Sequence, residues 1–258
     1  MFKKFFILTR GRTGSTAIMD ELHKCDNISA TQELFLQWAF SSKSDDTKEM
    51  FDIIWPFVLW KEECQPKNLV TRVFHSDRHL ANLYLAQAES RSRTNGSLGF
   101  GFKVLRNNLD EWPFLLRLLK RRDYQVIYLS RNTSDQVLSG MIANKSGIWN
   151  TKKNGFKLGQ YQIDPKEFQK NVIWEHNQVQ LDLSLLASLD LTYFQVTYEE
   201  FCNNREMFFE KIFSYLEIPT QLPPTSDYKV ILKNASDIIQ NYNELTQIAE
   251  ELGIPFVR

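Results

Sequence analysis

Three cysteines in 258 residues, Cys25, Cys64 and Cys202, lie far apart and form no Cys-x-x-Cys pair. That scarcity excludes a disulfide framework and a cysteine zinc site and fits a reducing compartment. Charge of one sign is equally missing, since 31 Lys and Arg meet 31 Asp and Glu for a formal net charge of zero. The basic surplus that attracts nucleic acid or acidic membrane is absent, so nucleic acid is not an expected partner. A small anion gripped by two or three arginines stays open. The longest apolar run, Ile53 to Trp60, contains Pro56 and stops at Lys61. It is far short of the roughly 18 residues that span a bilayer, so no transmembrane segment is expected. After Leu8 the apolar start gives way to Thr9-Arg10-Gly11-Arg12, too early for a secretory signal. The expected location is cytoplasmic. Ten glycines and eight prolines are too few for a low-complexity chain, whereas 43% hydrophobic and 13% aromatic residues supply a core.

What is present alternates. Phe5–Thr9, Leu98–Leu105, Gln125–Ser130 and Leu191–Thr197 read as short buried strands. Helical patterns follow them over Thr13–Lys24, Trp112–Arg122, Ser134–Asn144 and Glu199–Leu216. Phe168, Val172, Val179, Leu183 and Leu186 mark one face of a further long helix. A last helix is expected over Ser236–Leu252, from a Ser N-cap to Gly253. Ser41–Glu49, Ser90–Ser97, Lys145–Pro165 and Glu217–Tyr228 read as polar loops. The expected fold is α/β, one domain over residues 1–258 with a parallel central sheet flanked by helices. Ligands of such sheets sit beyond the carboxyl ends of the strands, here just after Thr9, Leu105, Ser130 and Thr197.

The first of these ends carries Arg10-Gly11-Arg12-Thr13-Gly14-Ser15-Thr16. Two glycines let the backbone turn so that N–H groups converge on an anion at a helix N-terminus. Ser15 and Thr16 add hydroxyls, and Arg12 adds a cation able to bind a phosphate in bidentate fashion. A nucleotide-triphosphate loop, G-x-x-x-x-G-K-[ST], is not spelled: its Lys is missing and the glycines are too close.

Arg12-Thr13-Gly14-Ser15-Thr16 resembles the 5′-phosphosulfate loop of sulfotransferases that use 3′-phosphoadenosine 5′-phosphosulfate. That family carries a second element, an Arg at a strand end with a Ser eight residues on, and Arg131 and Ser139 have this spacing after Gln125–Ser130. Val196-Thr197-Tyr198-Glu199-Glu200 is similar to the family's segment whose Tyr lies near the adenine. Phe102-Lys103-Val104-Leu105 resembles its second-strand segment. Lys233, with Ser236 and Asn241 to Leu245, resembles the C-terminal pattern of bacterial carbohydrate sulfotransferases, above all the trehalose and lipo-oligosaccharide branch. The chain departs from the pattern at Thr13, usually Ser, and at Arg10, usually small or Pro.

The resemblance implies a P-loop-like sulfotransferase fold, a phosphosulfate donor held without metal, and a carbohydrate or glycolipid hydroxyl as acceptor. A homodimer is compatible with it. The implied donor-binding set is Arg12, Thr13, Gly14, Ser15, Thr16, Arg131, Ser139, Tyr198 and Lys233. Sulfuryl transfer builds charge on the leaving oxygen, and Arg12 is the residue expected to meet it. Glu33 matches the catalytic Glu of the trehalose-type branch, with a first-turn helix acid as its ordinary alternative. His75 is the rival base. His75 and His79 are four apart, but without the Glu of H-E-x-x-H or a third ligand they make no metal site. Trp149, Trp112 and Tyr198 are the candidate adenine stackers. Two other readings remain, a kinase-like phosphotransferase and a nucleotide-binding module without catalysis.

Overall fold

A computed structural model describes residues 1–36, 52–64, 76–152, 158–232 and 234–257. Five strands form one parallel sheet: β1 (Lys3–Thr9), β2 (Ile28–Glu33), β3 (Gly99–Leu105), β4 (Gln125–Ser130) and β5 (Tyr193–Thr197). Their order is β2-β3-β1-β4-β5. β1 is central because nearly every residue of Phe5 to Leu8 is apolar, as a strand covered on both faces requires. Phe6 and Leu8 pack with Phe100, Phe102, Val126 and Tyr128 on one face. Phe5 and Ile7 pack with Ile127, Leu129 and Val196 on the other. The crowding demands a glycine in β3, where a Cβ on Gly101 would enter the Phe5 ring.

Helices close both faces. α1 (Ser15–His23) follows β1, and α2 (Phe57–Cys64) and α3 (Asp77–Thr94) lie between β2 and β3. α4 (Arg106–Glu111) and α5 (Leu115–Arg121) connect β3 to β4, and α6 (Thr133–Ser146) and α7 (Pro165–Ser188) connect β4 to β5. α8 (Tyr198–Asn203), α9 (Arg205–Leu216), α10 (Ala235–Ile238) and α11 (Tyr242–Glu251) complete the chain. α1 and α9 cover the Phe5 face, and residues of α2, α3 and α5 cover the Phe6 face. α6, α7 and α11 share a third apolar cluster through Leu138, Phe168, Val172 and Leu245.

The α/β reading, with an all-parallel sheet flanked by helices, holds. Four of the five strands stand where the hydrophobic pattern puts them, within two residues at either end. β2 is the strand the pattern hides: Ile28-Ser-Ala-Thr-Gln-Glu33 is mostly polar, yet its first five residues are buried. Pairing with β3, not apolar content, makes it a strand. α3 covers most of Ser90–Ser97, read as loop, because its helix runs on to Thr94. α1 starts at Ser15 and not Thr13, since Gly14 adopts φ 74°, outside helical geometry. The expected Glu199–Leu216 helix is two, broken at Asn204, whose side chain accepts from Met207 N–H. The last helix also divides. Tyr161 forms a β-bridge with Ile239, and the Tyr161 carbonyl accepts from Gln240 N–H, drawing that backbone out of a helical path.

Sheet register sets the site. Thr9 lies beside Leu105 on one side and Leu129 on the other, and Ser130 lies beside Thr197. The loops leaving β1, β3, β4 and β5 therefore emerge at one rim. Connections run from β1 toward β2 but from β4 toward β5, so the chain reverses direction between β1 and β4. That is where open α/β sheets leave a crevice.

Candidate functional site

The loop from Arg10 to Gly14 crosses that crevice. Arg12 and Gly14 both take positive φ, 67° and 74°. For Gly14 this costs little. It also has no room for a side chain, because a Cβ would collide with the Tyr198 ring. No side chain caps α1 at Gly14, so the N–H groups of its first turn have no partner within the helix and point toward whatever lies beyond the loop. Thr13 is turned inward: its hydroxyl lies 2.6 Å from that of Thr9 and bonds the Arg10 carbonyl at 3.1 Å. Only its backbone remains for a ligand. Thr16 contacts Lys103 Nζ through its hydroxyl at 3.2 Å.

β4 delivers the second cation. Arg131 donates through Nη1 to the Arg12 carbonyl at 3.0 Å and lies 4.6 Å above the Tyr198 ring. Ser139, just over two turns into α6, accepts from Arg12 Nε at 3.3 Å. Arg12 also reaches the Trp149 carbonyl. Tyr198 is aimed by a capping box at the end of β5, in which Thr197 Oγ1 accepts from Glu200 N–H and Glu200 accepts from Thr197 N–H. Glu199 accepts from Asn132 N–H at 3.0 Å and ties this turn to the β4 loop. Arg12, Gly14, Arg131, Ser139 and Tyr198, from three separate stretches of chain, thus form one cluster.

The electrostatics of that cluster are unbalanced. Burial, and then the neighbouring Arg131, hold the Arg12 guanidinium below its usual pKa. Arg131 Nε is buried and makes no hydrogen bond. Arg12 and Arg131 have no carboxylate partner among the described residues. Two guanidiniums and an orphaned buried donor at the mouth of an uncapped helix form an anion cradle.

Arg10, two residues before Arg12, is the opposite case. It donates to Glu175 at 2.6 Å and Asp182 at 2.8 Å, and Asp182 also accepts from Arg106 at 2.9 Å. Gln136 Nε2 bridges the Glu175 carboxylate and the Gly11 carbonyl, at 2.8 and 2.9 Å. These partners were not foreseen. A signal was present: Glu175 and Asp182, seven apart, interrupt the apolar face that Phe168, Val172, Val179 and Leu186 mark on α7. Buried carboxylates in an apolar stripe require cations.

Glu33 ends β2 and forms a 2.6 Å ion pair with buried Lys103 of β3. It is a strand-end residue, not the first-turn helix acid of the alternative reading. Lys103 joins it to Thr16 of the loop. His75 and Lys233 lie outside the described residues, as do Lys153 and Lys157 of the long polar loop. Trp112 is buried and donates to the Phe35 carbonyl, so it is a core residue. Trp149 is exposed, with Arg12 5.8 Å from its ring.

A cavity of about 530 Å³ opens beside the loop, lined by Gly11 and Arg12, by Arg106 and Asn107 after β3, and by residues of α6 and α7. A larger one, about 640 Å³, lies at the amino end of β1 against Lys4 and Arg122, away from every candidate residue. Among the described residues no cluster of His, Cys, Asp and Glu suits a metal, and no helix is long and apolar enough to cross a membrane.

Comparison with known proteins adds the following. The model of a group described as the sulfotransferase family matches residues 4–222. No curated protein matches. Among solved structures, the chain is similar to the sulfotransferase domain from the curacin biosynthetic pathway, with 15% identity and a TM-score of 0.52 over 100% of this chain and 99% of that one. A sulfotransferase domain of the Synechococcus PCC 7002 olefin synthase aligns at 13% identity and TM-score 0.46, over 100% and 98% of the two chains.

Proposed function

From a chain that belongs to the sulfotransferase family, we propose a specific reaction: transfer of a sulfuryl group from 3′-phosphoadenosine 5′-phosphosulfate to a hydroxyl of a carbohydrate or glycolipid. The observation that carries the donor assignment is the unbalanced arginine pair. Arg12 and Arg131 meet at Ser139 without a carboxylate, and Arg131 Nε is buried without a partner. The residues fit the donor: Arg131 and Ser139 for the 3′-phosphate, the N–H groups of Gly14, Ser15 and Thr16 for the phosphosulfate, and Tyr198 beside the adenine. Lys233 is the remaining proposed contact. Thr13 contributes its backbone alone.

When bound, the donor supplies an SO3 group on a phosphate leaving group. The acceptor oxygen forms a bond to sulfur as the sulfur–oxygen bond to phosphate breaks. Arg12 neutralises the charge that collects on the departing phosphate oxygen. Glu33 accepts the acceptor's proton, and Lys103 holds that carboxylate at the loop. The roles are positioning and charge neutralisation, as in phosphoryl transfer.

Thermal shift and calorimetry test this reading. Adenosine 3′,5′-bisphosphate should stabilise the protein and ATP with magnesium should not. A preference for ATP–magnesium would favour a kinase-like phosphotransferase, and bisphosphate binding without transfer to any hydroxyl would favour a non-catalytic module. Glu33→Gln preserves size and removes basicity, so it should lower turnover by about 10²–10⁴ with bisphosphate affinity unchanged. His75→Ala should have a mild effect. The reverse pattern moves the base to His75.

A further inference from the structure

The cavity between α4, α6 and α7 is bordered at one end by the loop residues Gly11 and Arg12 and at another by Arg106 at the carboxyl end of β3. About 530 Å³ is a volume usual for small-molecule sites, which run about 300–1,000 Å³. Its walls have a consistent chemistry. Trp149 and Trp174 line it and are 49% and 55% exposed. Exposed indoles at a cavity mouth offer flat apolar faces. Asn107, Asn144, Asn171 and Gln178 line it too, and each carboxamide can both donate and accept.

The charged groups of the wall are mostly committed. Arg10 is held by Glu175 and Asp182, and Arg106 by Asp182 and Asp110. Glu175 is the exception in one atom. Arg10 Nε and Gln136 Nε2 both donate to its Oε1, while Oε2 accepts no hydrogen bond from a described residue and is not sealed from solvent. The residue lines the cavity. An oriented carboxylate oxygen without a donor takes a hydroxyl well and an anion badly.

Resting on the sulfotransferase reading above, we infer that this cavity is the acceptor site, that it takes a neutral polyhydroxylated ring, and that Glu175 Oε2 accepts a hydrogen bond from one of its hydroxyls. Glu175 is a positioning residue here, distinct from the base. Its Oε1 contacts with Arg10 and Gln136 fix the carboxylate relative to the phosphosulfate loop, so a hydroxyl held on Oε2 is registered against the donor. Trp174 supplies a face for the ring, and the carboxamides select hydroxyls over alkyl chain. An anionic acceptor meets two carboxylates, Glu175 and Asp110, and finds Arg10 and Arg106 already paired.

The test uses the full-length protein saturated with the phosphosulfate donor and four acceptor probes: trehalose, the N-acetylglucosamine disaccharide, glucuronic acid and 1-octanol. Transfer is expected to at least one neutral sugar and not preferentially to glucuronic acid or octanol. Preference for either of those, or transfer to none of the four while bisphosphate binds normally, overturns the inference. Absence of bisphosphate binding instead overturns the donor reading. On the accepted sugar, Glu175→Gln and Trp174→Ala should each raise KM about tenfold or more, the scale of a lost contact of about 1.5 kcal/mol. Bisphosphate Kd should stay constant, and kcat should hold within about threefold. Trp174→Phe keeps an aromatic face and should restore most of the KM. Unchanged KM in both variants, or a fall in kcat without a rise in KM for Glu175→Gln, overturns the assigned roles.

Discussion

Two pairs of arginines stand within a few residues of each other, and the fold treats them differently. Arg10 and Arg106 are enclosed with Glu175, Asp182 and Asp110, every charge answered by another. Arg12 and Arg131 face each other with Ser139 and Tyr198 and no acid. A buried cation must be compensated, so the first pair is compensated by the protein and the second is left for a ligand. An arginine followed by a glycine looks the same in sequence whether it braces the scaffold or grips the donor. Only its partners separate the two uses.

The contrast can be broken at four points, taken in falling order of expected effect. Arg10→Ala removes one side of a buried ion cluster and leaves two carboxylates short of a cation. Such losses cost about 3–5 kcal/mol of stability, so its melting temperature should drop steeply. Arg12→Ala should keep or raise the melting temperature, since it relieves repulsion with Arg131. A steep drop in Arg12→Ala comparable to that of Arg10→Ala would erase the distinction. Turnover gives the complementary measure. Arg12→Ala should lose about 10²–10³ in turnover, the usual cost of removing one donor to developing charge, with a smaller change in donor affinity. Near-normal turnover would remove Arg12 from the mechanism.

Arg131→Ala sharpens the comparison within the donor pair. Loss of a charge-assisted contact of about 1.5–3 kcal/mol should raise the Kd of adenosine 3′,5′-bisphosphate by roughly ten- to a hundredfold. Adenosine 5′-phosphate, which lacks the 3′-phosphate, should bind almost as before. Equal losses for both nucleotides would make Arg131 a structural residue.

The smallest expected effect is one of pH and concerns the compensated pair. Burial raises the Glu175 carboxyl above its ordinary pKa, against the pull of Arg10 and Gln136 and with the help of Asp182. Arg10, Gln136, Asp182 and, across β4, Tyr128 are the groups that face it. As pH falls, the folded protein takes up this proton before the unfolded chain does. Stability therefore increases with falling pH between the raised value and the usual carboxylate range. Glu175→Gln lacks this proton, so the melting temperature of the unmodified protein should gain on that of the variant from neutral pH to about pH 5. A gap that moves the other way would mean that the Arg10 pairing outweighs burial.

Much of the fold was legible because it follows from local pattern. Phe5 to Leu8, Val126 to Leu129 and the stretch around Phe102 are too apolar and too short to be anything but buried strands. The glycine-containing turn after Thr9 marks where the first one ends. β2 was not legible: Ser29, Thr31 and Gln32 carry no apolar signal, and only pairing with β3 makes them a strand. The division of α10 from α11 depends on Tyr161, more than seventy residues upstream, and no local window contains it. At the site, the residue types and spacings of Arg12, Gly14, Arg131, Ser139 and Tyr198 were readable, as was Glu33. The acids around Arg10 were visible only as an irregularity in the α7 stripe.

The sequence by itself determined the strand–loop–helix grammar, the rim at which the chemistry gathers and the residues offered for an anion. These depend on backbone propensity and hydrophobic period, which act over a few residues. Tertiary structure decided which arginine is neutralised and which is left open, that Thr13 turns inward, and that Glu33 ends a strand against Lys103. Charge compensation is a matter of distance in space, and residues 10, 175 and 182 become neighbours only once α7 has docked against the rim of the sheet.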